Sequence, residues 1–480
     1  MRLWVFVFLL SSLAPVQAAT YEFSQEQRLT NKLNRFRLIG RNLDGYVVRL
    51  YGRMDVLDLY DTGMRRIASQ PIQLEGQYGL IQQVVLQPYG SNLLYLSSRR
   101  RHTLLMAQRV NSTFQSVGTP LVIDSLPDGV EQVEENVRFR ASLDQSKQLM
   151  YYPVFDAKGV ESIWLCCMQD DMQVLWRRRL LVNKPEEALE QMRVLVSNAG
   201  AVSLVFYSRP TPREAVAEIH HVTADGRYNG MVYTLPKPLY GELYADIDQT
   251  NEQLILASLF DEMDDNRRET SSSGYCYTRL NPQQGTVEKE MVIPYGLSFM
   301  RELTGKEPDK LPKKLFTFTI KKIIPRIDGG ALILAESQLR DTRETLVPGF
   351  QPGINSFRTV NIYQYNDVIA FSVDSSGQTE WSRVMRKKQI SEDDEGYYSS
   401  FFIVNRGMDL QLLFLDEPVS GSTLSTFGLS AGGQVQRQTL LDQSDWDVFL
   451  INRQTRQTGP GEIIMPSVKG DAFRLMRLTF

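Results

Sequence analysis

The 480-residue chain holds three histidines, His102, His220 and His221, so a metal centre or a catalytic triad would draw on nearly all its imidazole. His220 and His221 are strand neighbours and are expected to point to opposite faces. The three cysteines are Cys166, Cys167 and Cys276, and the adjacent pair is poorly placed to bridge to itself. They are expected as buried thiols packed as small hydrophobes. Clustered carboxylates in Asp261-Glu262-Met263-Asp264-Asp265-Asn266 have the hard oxygens a calcium ion takes, yet the run lacks the glycine and closing glutamate of an EF-hand loop. It reads as a solvated loop, as does Glu392 to Glu395, and no metal or cofactor is expected.

The cationic residues make the better case. Arg99, Arg100 and Arg101 with His102 form one cluster, and Arg177 to Arg179 a second. The first can bind an anionic group at a turn. The second lies on an outer strand, where alternation divides its charges and edge solvation explains them. Arg37, Arg138, Arg140, Arg193, Lys321 and Lys322 fall on strands expected innermost in the fold, so Arg138 and Arg193 are taken with Arg99 to Arg101 as candidate binding residues for an acidic ligand. Catalysis is not expected, because the acids near those strands, Asp44, Asp144 and Asp246, fall where a turn already favours Asp.

What must position these groups is a repeat. Its clearest copy is Asn366 to Ser382, an apolar strand, an Asp374 to Gly377 turn, and a returning strand with Trp381. Both faces of the first strand are apolar, as in a sheet packed between two others. Related turns near Gly63, Thr113, Asp171, Gly226, Gly285 and Gly432 recur at about 50 to 60 residues, with one longer interval before Gly377, a propeller-like period. Each unit has room for four antiparallel strands, a to d from the axis outward, and the third divides as Val137–Leu143, Gln148–Val154, Ser162–Cys167 and Gln173–Leu181.

The last unit supplies three strands, Val448–Asn452, Ile463–Val468 and Ala472–Phe480, so Tyr21–Thr30 is expected to complete it. The fold class is therefore all-β, a β-propeller of eight four-stranded blades closed by the N-terminal strand, with a seven-bladed ring as the alternative. An outer-membrane barrel is the rival fold, against which stand strands apolar on both faces and rich in charge. Connections b to c and d to a share one face. That face is expected to carry the long loops, Asp261–Gly274, Gly296–Lys314, Gln338–Tyr365 and Ile390–Gly396, and with them the binding function. Pro185 to Met192 is the clearest helical run.

Residues 1–18 read as a signal peptide, with Arg2, the apolar run Leu3–Leu10 and the small-residue ending Val16-Gln17-Ala18, which leaves 19–480 as a single propeller domain. The expected location is periplasmic or extracellular, without a membrane span. With 53 Lys and Arg against 56 Asp and Glu, no global basic field argues for nucleic acid.

The stretch Asp367 to Trp381, read as Asp-φ-φ-x-φ-x-φ-Asp-x-x-Gly-x-x-x-Trp, resembles the short β-propeller repeats of exported bacterial proteins, and the chain is similar in style to secreted Bacteroidetes propellers with no assigned activity. The resemblance implies a non-catalytic scaffold in the bacterial envelope that holds a protein or glycan partner. The alternative is a carbohydrate-active propeller enzyme, a glycoside hydrolase or polysaccharide lyase.

Overall fold

The computed structural model describes residues 19–28, 36–52, 54–74, 81–99, 102–126, 136–211, 213–260, 272–307, 318–348, 355–407, 409–416, 423–441, 450–469 and 471–480. They build eight antiparallel sheets, each a meander of four principal strands. Blades 1 to 7 occupy 36–71, 81–126, 138–184, 193–234, 239–294, 318–385 and 402–441. The eighth is composite. Its strands a to c are Arg456–Gly459, Glu462–Lys469 and Ala472–Thr479, and its outer strand is Thr20–Phe23 from the other end of the chain. Thr20 pairs with Thr479 and Phe23 with Met476, and the ion pairs Glu22–Arg477 at 2.8 Å and Glu26–Arg474 at 2.6 Å flank that seam.

The apolar pattern explains why sheets stack radially. In strand c of blade 6 (Asn355–Val373), Ile369, Phe371 and Val373 pack toward blade 5, while Val368 and Ala370 pack toward blade 7. A strand covered on both sides must be apolar on both sides, which is what the repeat encodes. Leu38 and Tyr46 of blade 1 share a core with Ile464, Phe473 and Leu475 of blade 8, so the ring is closed by packing as well as by pairing.

The repeat's tryptophan has a further job. Trp381 donates its indole N–H to the Ala431 carbonyl of blade 7 at 3.1 Å and lies over Gly433, where a Cβ would come within 2.5 Å of the ring. Trp176 of blade 3 likewise donates to Gly200 O at 3.1 Å and packs on Gly226 of blade 4. The outer strands of blades 3 and 6 thus seat a tryptophan on the c–d turn glycine of the following blade, Trp176 also bonding its a–b turn, and that glycine is needed both for its positive φ and as the seat for the side chain. In blades 1 to 3 the left-handed turn residue is instead Met64, Phe114 or Met172, all buried between blades, so the turn near Gly63 is set by Met64.

Several expectations need correction. Gln338–Tyr365 is not a loop: strands b (Ala331–Pro348) and c (Asn355–Val373) of blade 6 run on as a long hairpin arm, with Ser337 and Tyr365 near its base. Alternating side chains across Leu339–Thr345 and Arg358–Tyr365 sustain the ladder where turn residues were lacking. The inner strand of blade 8 is Arg456–Gly459, because after a bridge from Leu450 to Ser467 the chain turns through a 3-10 segment, Asn452–Gln454. Asp246 lies within strand a of blade 5 (Leu239–Asp248), which is longer than expected, rather than in a turn. A ten-residue connection also lies on the opposite face, the c–d connection of blade 2 at 111–120.

On the b–c and d–a face, helix Leu297–Thr304 interrupts the Gly296–Lys314 connection and buries Phe299, Met300 and Leu303 between blades 5 and 6. Gly305, left-handed at φ 65°, ends it. The run Pro185–Met192 holds the short helix Ala188–Gln191. Residues 1–18 and the acidic run Asp261–Asn266 lie outside the described residues. None of the described helices is long and apolar enough to cross a membrane.

Candidate functional site

The inner strands start at the b–c and d–a face, so their first residues ring the axial mouth there. Blade 8 begins with Arg456, blade 1 presents Arg37, blade 3 Arg138 and blade 4 Arg193, while Lys321 and Lys322 lie midway along the inner strand of blade 6, Phe318–Pro325. A cavity of about 470 Å³ opens at this mouth across blades 6, 7 and 8. Its wall combines Lys321, Lys322, Arg453 and Arg456 with Tyr365 from the base of the arm, Ser399 and Ser400 from the 6–7 connection, and Asn452.

Charge compensation around this cavity is uneven. Lys322 Nζ is 2.6 Å from Asp246; burial works against its charge, but that carboxylate more than offsets it and the lysine pKa is raised. Lys321 is held below the ordinary lysine value by burial, with Glu336 3.9 Å away and its ammonium 5.7 Å from the centre of the Tyr365 ring. Arg453 donates to Tyr365 Oη at 3.1 Å and to the Glu395 carbonyl at 2.9 Å, both neutral acceptors. Burial, then the neighbouring Arg37 guanidinium, push the Arg456 pKa down. Among the described residues Arg37, Arg453 and Arg456 have no carboxylate partner, so the described wall of this cavity carries uncompensated positive charge in a partly desolvated setting.

Beneath the wall lies a buried polar post. Lys387 Nζ sits 2.7 Å from Glu336 Oε1, both side chains wholly inaccessible, and donates to Gln389 Oε1 at 2.7 Å and to the Tyr365 carbonyl at 2.9 Å. Ser400 Oγ donates to Glu336 Oε2 at 2.7 Å, and Gln338 Nε2 does so at 3.0 Å. Asn452 Nδ2 donates to the Ser400 carbonyl at 2.8 Å. The post therefore locks the arm base, the 6–7 connection and the entry to blade 8 into one frame, fixing Tyr365, Ser400 and Arg453 around the cavity.

The other candidates are distributed differently. Arg99 ends strand b of blade 2 at its b–c turn, while its side chain, Arg100 and Arg101 lie outside the described residues. Arg138 lines a separate cavity of about 230 Å³ between blades 3 and 4, and Arg193 is ion-paired across to Glu242 of blade 5. Arg177 to Arg179 are not merely solvated edge charges: Arg177 donates to Ile123 O of blade 2 at 2.6 Å, Arg178 to Gly226 O of blade 4 at 2.6 Å, and Arg179 pairs with Glu161 at 2.6 Å. Alternation turns them into clamps to both neighbours. Sequence reasoning missed Arg453 and Arg456 because it placed the inner strand too early; Arg453-Gln454-Thr455-Arg456 was the available signal.

His220, His221 and the three cysteines are buried, and the His102 side chain lies outside the described residues. His221 is buried against Ser203 Oγ at 2.9 Å, and burial pushes its pKa down to about 4. His220 faces the other way, between Tyr228 Oη at 3.0 Å and Glu218 at 2.8 Å. Burial pushes all three thiols up to about 12, so they are neutral at physiological pH. In the second acidic run, Asp393 is paired with Arg358 at 2.8 Å and Asp394 accepts from Ser391 Oγ and the Gly396 amide.

No family model matches the chain, and no curated protein does. Among solved structures it is similar to the polysaccharide lyase Uly1 (10% identity, TM-score 0.38, covering 85% of this chain and 94% of that one). It is similar to the uncharacterized protein lmo1340 from Listeria monocytogenes EGD-e (8%, TM-score 0.37, covering 84% and 94%). It is also similar to YCF48 bound to D1 peptide (10%, TM-score 0.38, covering 95% of each chain).

Proposed function

We propose that the protein is a non-catalytic binding propeller of the bacterial envelope, exported by the signal peptide at 1–18, and that it holds an acidic group of a glycan or protein partner at its axial mouth. The observation behind this reading is the cavity of about 470 Å³ whose wall carries Arg453 and Arg456 without carboxylate partners among the described residues. A bound carboxylate would supply the missing countercharge, and bidentate Arg–carboxylate geometry would orient it. Tyr365, Ser400 and Asn452 add hydroxyl and amide groups suited to a neighbouring sugar or peptide.

The test is a binding and turnover screen of uronate-containing and neutral glycans, and of acidic and neutral peptides, on the wild type and on Arg453→Ala/Arg456→Ala. Saturable, salt-sensitive binding of acidic ligands that falls about tenfold or more in the double variant supports the proposal. Depolymerisation of a glycan would support the carbohydrate-active enzyme instead. Equal binding by wild type and variant would remove the site.

A further inference from the structure

The hairpin arm of blade 6 has two different edges. Along strand c, Gln389–Glu392 pairs with Ile362–Tyr365 and covers that side. Along strand b, the described part of the blade's inner strand begins at Phe318 opposite Ser337, and no described strand pairs with the outer edge of Gln338–Pro348. Residues Leu339 to Thr345 are exposed. Among the described residues this edge is uncovered, and an uncovered strand edge displays backbone donors and acceptors that invite another strand.

The side chains on that edge say which strand. Arg340-Asp341-Thr342-Arg343-Glu344 reads plus, minus, neutral, plus, minus, and reversing it exchanges every sign. In an antiparallel pair centred on Thr342, Arg340 faces Glu344 of the other strand and Asp341 faces Arg343, giving four attractive pairs by symmetry. Directly opposed residues share a face, so all four pairs can form at once. Moving the centre to Asp341 sets Asp341 against itself, and moving it to Arg343 does the same for Arg343. One register is favoured and its neighbours are penalised.

Among the described residues none of these four side chains is in an ion pair: Arg340 contacts Asn361 Oδ1 at 3.3 Å and the Tyr363 ring, and Asp341 accepts the Thr342 amide at 2.8 Å. We infer that the edge of this arm pairs with the same edge of a second copy of the chain, forming a two-fold symmetric dimer with a six-stranded sheet running across both arms.

The test uses the mature chain in sedimentation velocity at several concentrations and salt levels, with two sets of variants. The wild type is expected to dimerise, less so at high salt. Asp341→Arg converts two attractive pairs into two Arg–Arg contacts and should weaken dimerisation by about tenfold, while Asp341→Arg/Arg343→Asp restores the complementarity and the dimer. Thr342→Cys should give a disulfide-linked dimer under mild oxidation, since the two Thr342 positions face each other. These substitutions are on exposed positions, so the circular dichroism spectrum should match the wild type. A wild-type monomer at every concentration tested overturns the inference. So does a dimer that is indifferent to Asp341→Arg, or one that the double swap fails to restore.

Discussion

Breaking the Glu336–Lys387 pair from its two sides should give unequal results. Glu336→Gln leaves the Lys387 ammonium wholly buried with only neutral acceptors, Gln389 Oε1 and the Tyr365 carbonyl, and removes the carboxylate nearest Lys321 as well. An uncompensated buried charge costs about 3 to 5 kcal/mol. The ceiling is the work of shedding the proton, about 1.4 kcal/mol per pH unit from an ordinary value near 10.4 down to pH 7, or about 4.6 kcal/mol. Burial already pushes Lys387 below the usual lysine range, and without Glu336 it falls further. Its folded pKa then lies below its unfolded one, so the unfolded chain binds more protons and stability rises with pH across the gap. The Glu336→Gln defect should shrink by up to about 1.4 kcal/mol per unit from pH 7 to 9. Lys387→Met leaves Glu336 its bonds from Ser400 and Gln338, with Lys321 3.9 Å away to take over, and should cost about 2 to 3 kcal/mol. Glu336→Leu/Lys387→Met should return to within about 1 kcal/mol of the wild type. Urea unfolding by tryptophan fluorescence reads the total, and amide exchange across 386–403 reads the local effect. Equal costs for the two single variants, or no pH slope in Glu336→Gln, would refute the reasoning.

Two further predictions concern the ring itself. Gly433→Ala must place a Cβ 2.5 Å from the Trp381 ring at φ 75° and should cost about 2 to 4 kcal/mol, whereas Gly407→Ala, at φ 88° with open space around it, should cost about 1 kcal/mol; urea midpoints compare them. His221, neutral in the fold with its pKa pushed down to about 4, should withdraw about 3 kcal/mol of stability as pH falls from about 6.5 to 4, since the unfolded chain protonates first. His221→Gln should flatten that part of the pH–stability profile, and an unchanged slope would reassign the acid sensitivity to other groups.

How far the sequence reached depended on whether a feature was local. The blades were legible because strand, turn and return are encoded within one unit: Val368 to Val373 alternate toward two neighbouring blades, and Asp374 with Gly377 makes the turn between strands. The closure was legible as a deficit, since a three-stranded last unit needs an outer strand and the N-terminal segment had no blade of its own. The arm was not. A strand that continues past its blade carries the same alternating polar composition as a solvated loop, and only the paired register separates them.

The axial site shows the same limit more sharply. Its cavity wall comes from the base of an arm (Tyr365), a connection between blades (Ser399, Ser400), a turn before the last blade (Asn452, Arg453) and two inner strands (Lys321, Lys322, Arg456). No two of the first three groups are close in sequence, and their alignment rests on Lys387 and Glu336, which are 51 positions apart and joined at 2.7 Å. A sequence pattern can report that inner strands are cationic, because that is a property of each strand. It cannot report which cations lack a countercharge, because Asp246 neutralises Lys322 from the neighbouring blade while Arg456, among the described residues, has the like charge of Arg37 beside it and no carboxylate. Net charge at the mouth is therefore a property of the closed ring. If Arg456 gains its countercharge from a bound acid, exchanging Arg456 for Gln should cost affinity for acidic ligands without costing stability, whereas an arginine that holds the blades together would cost both.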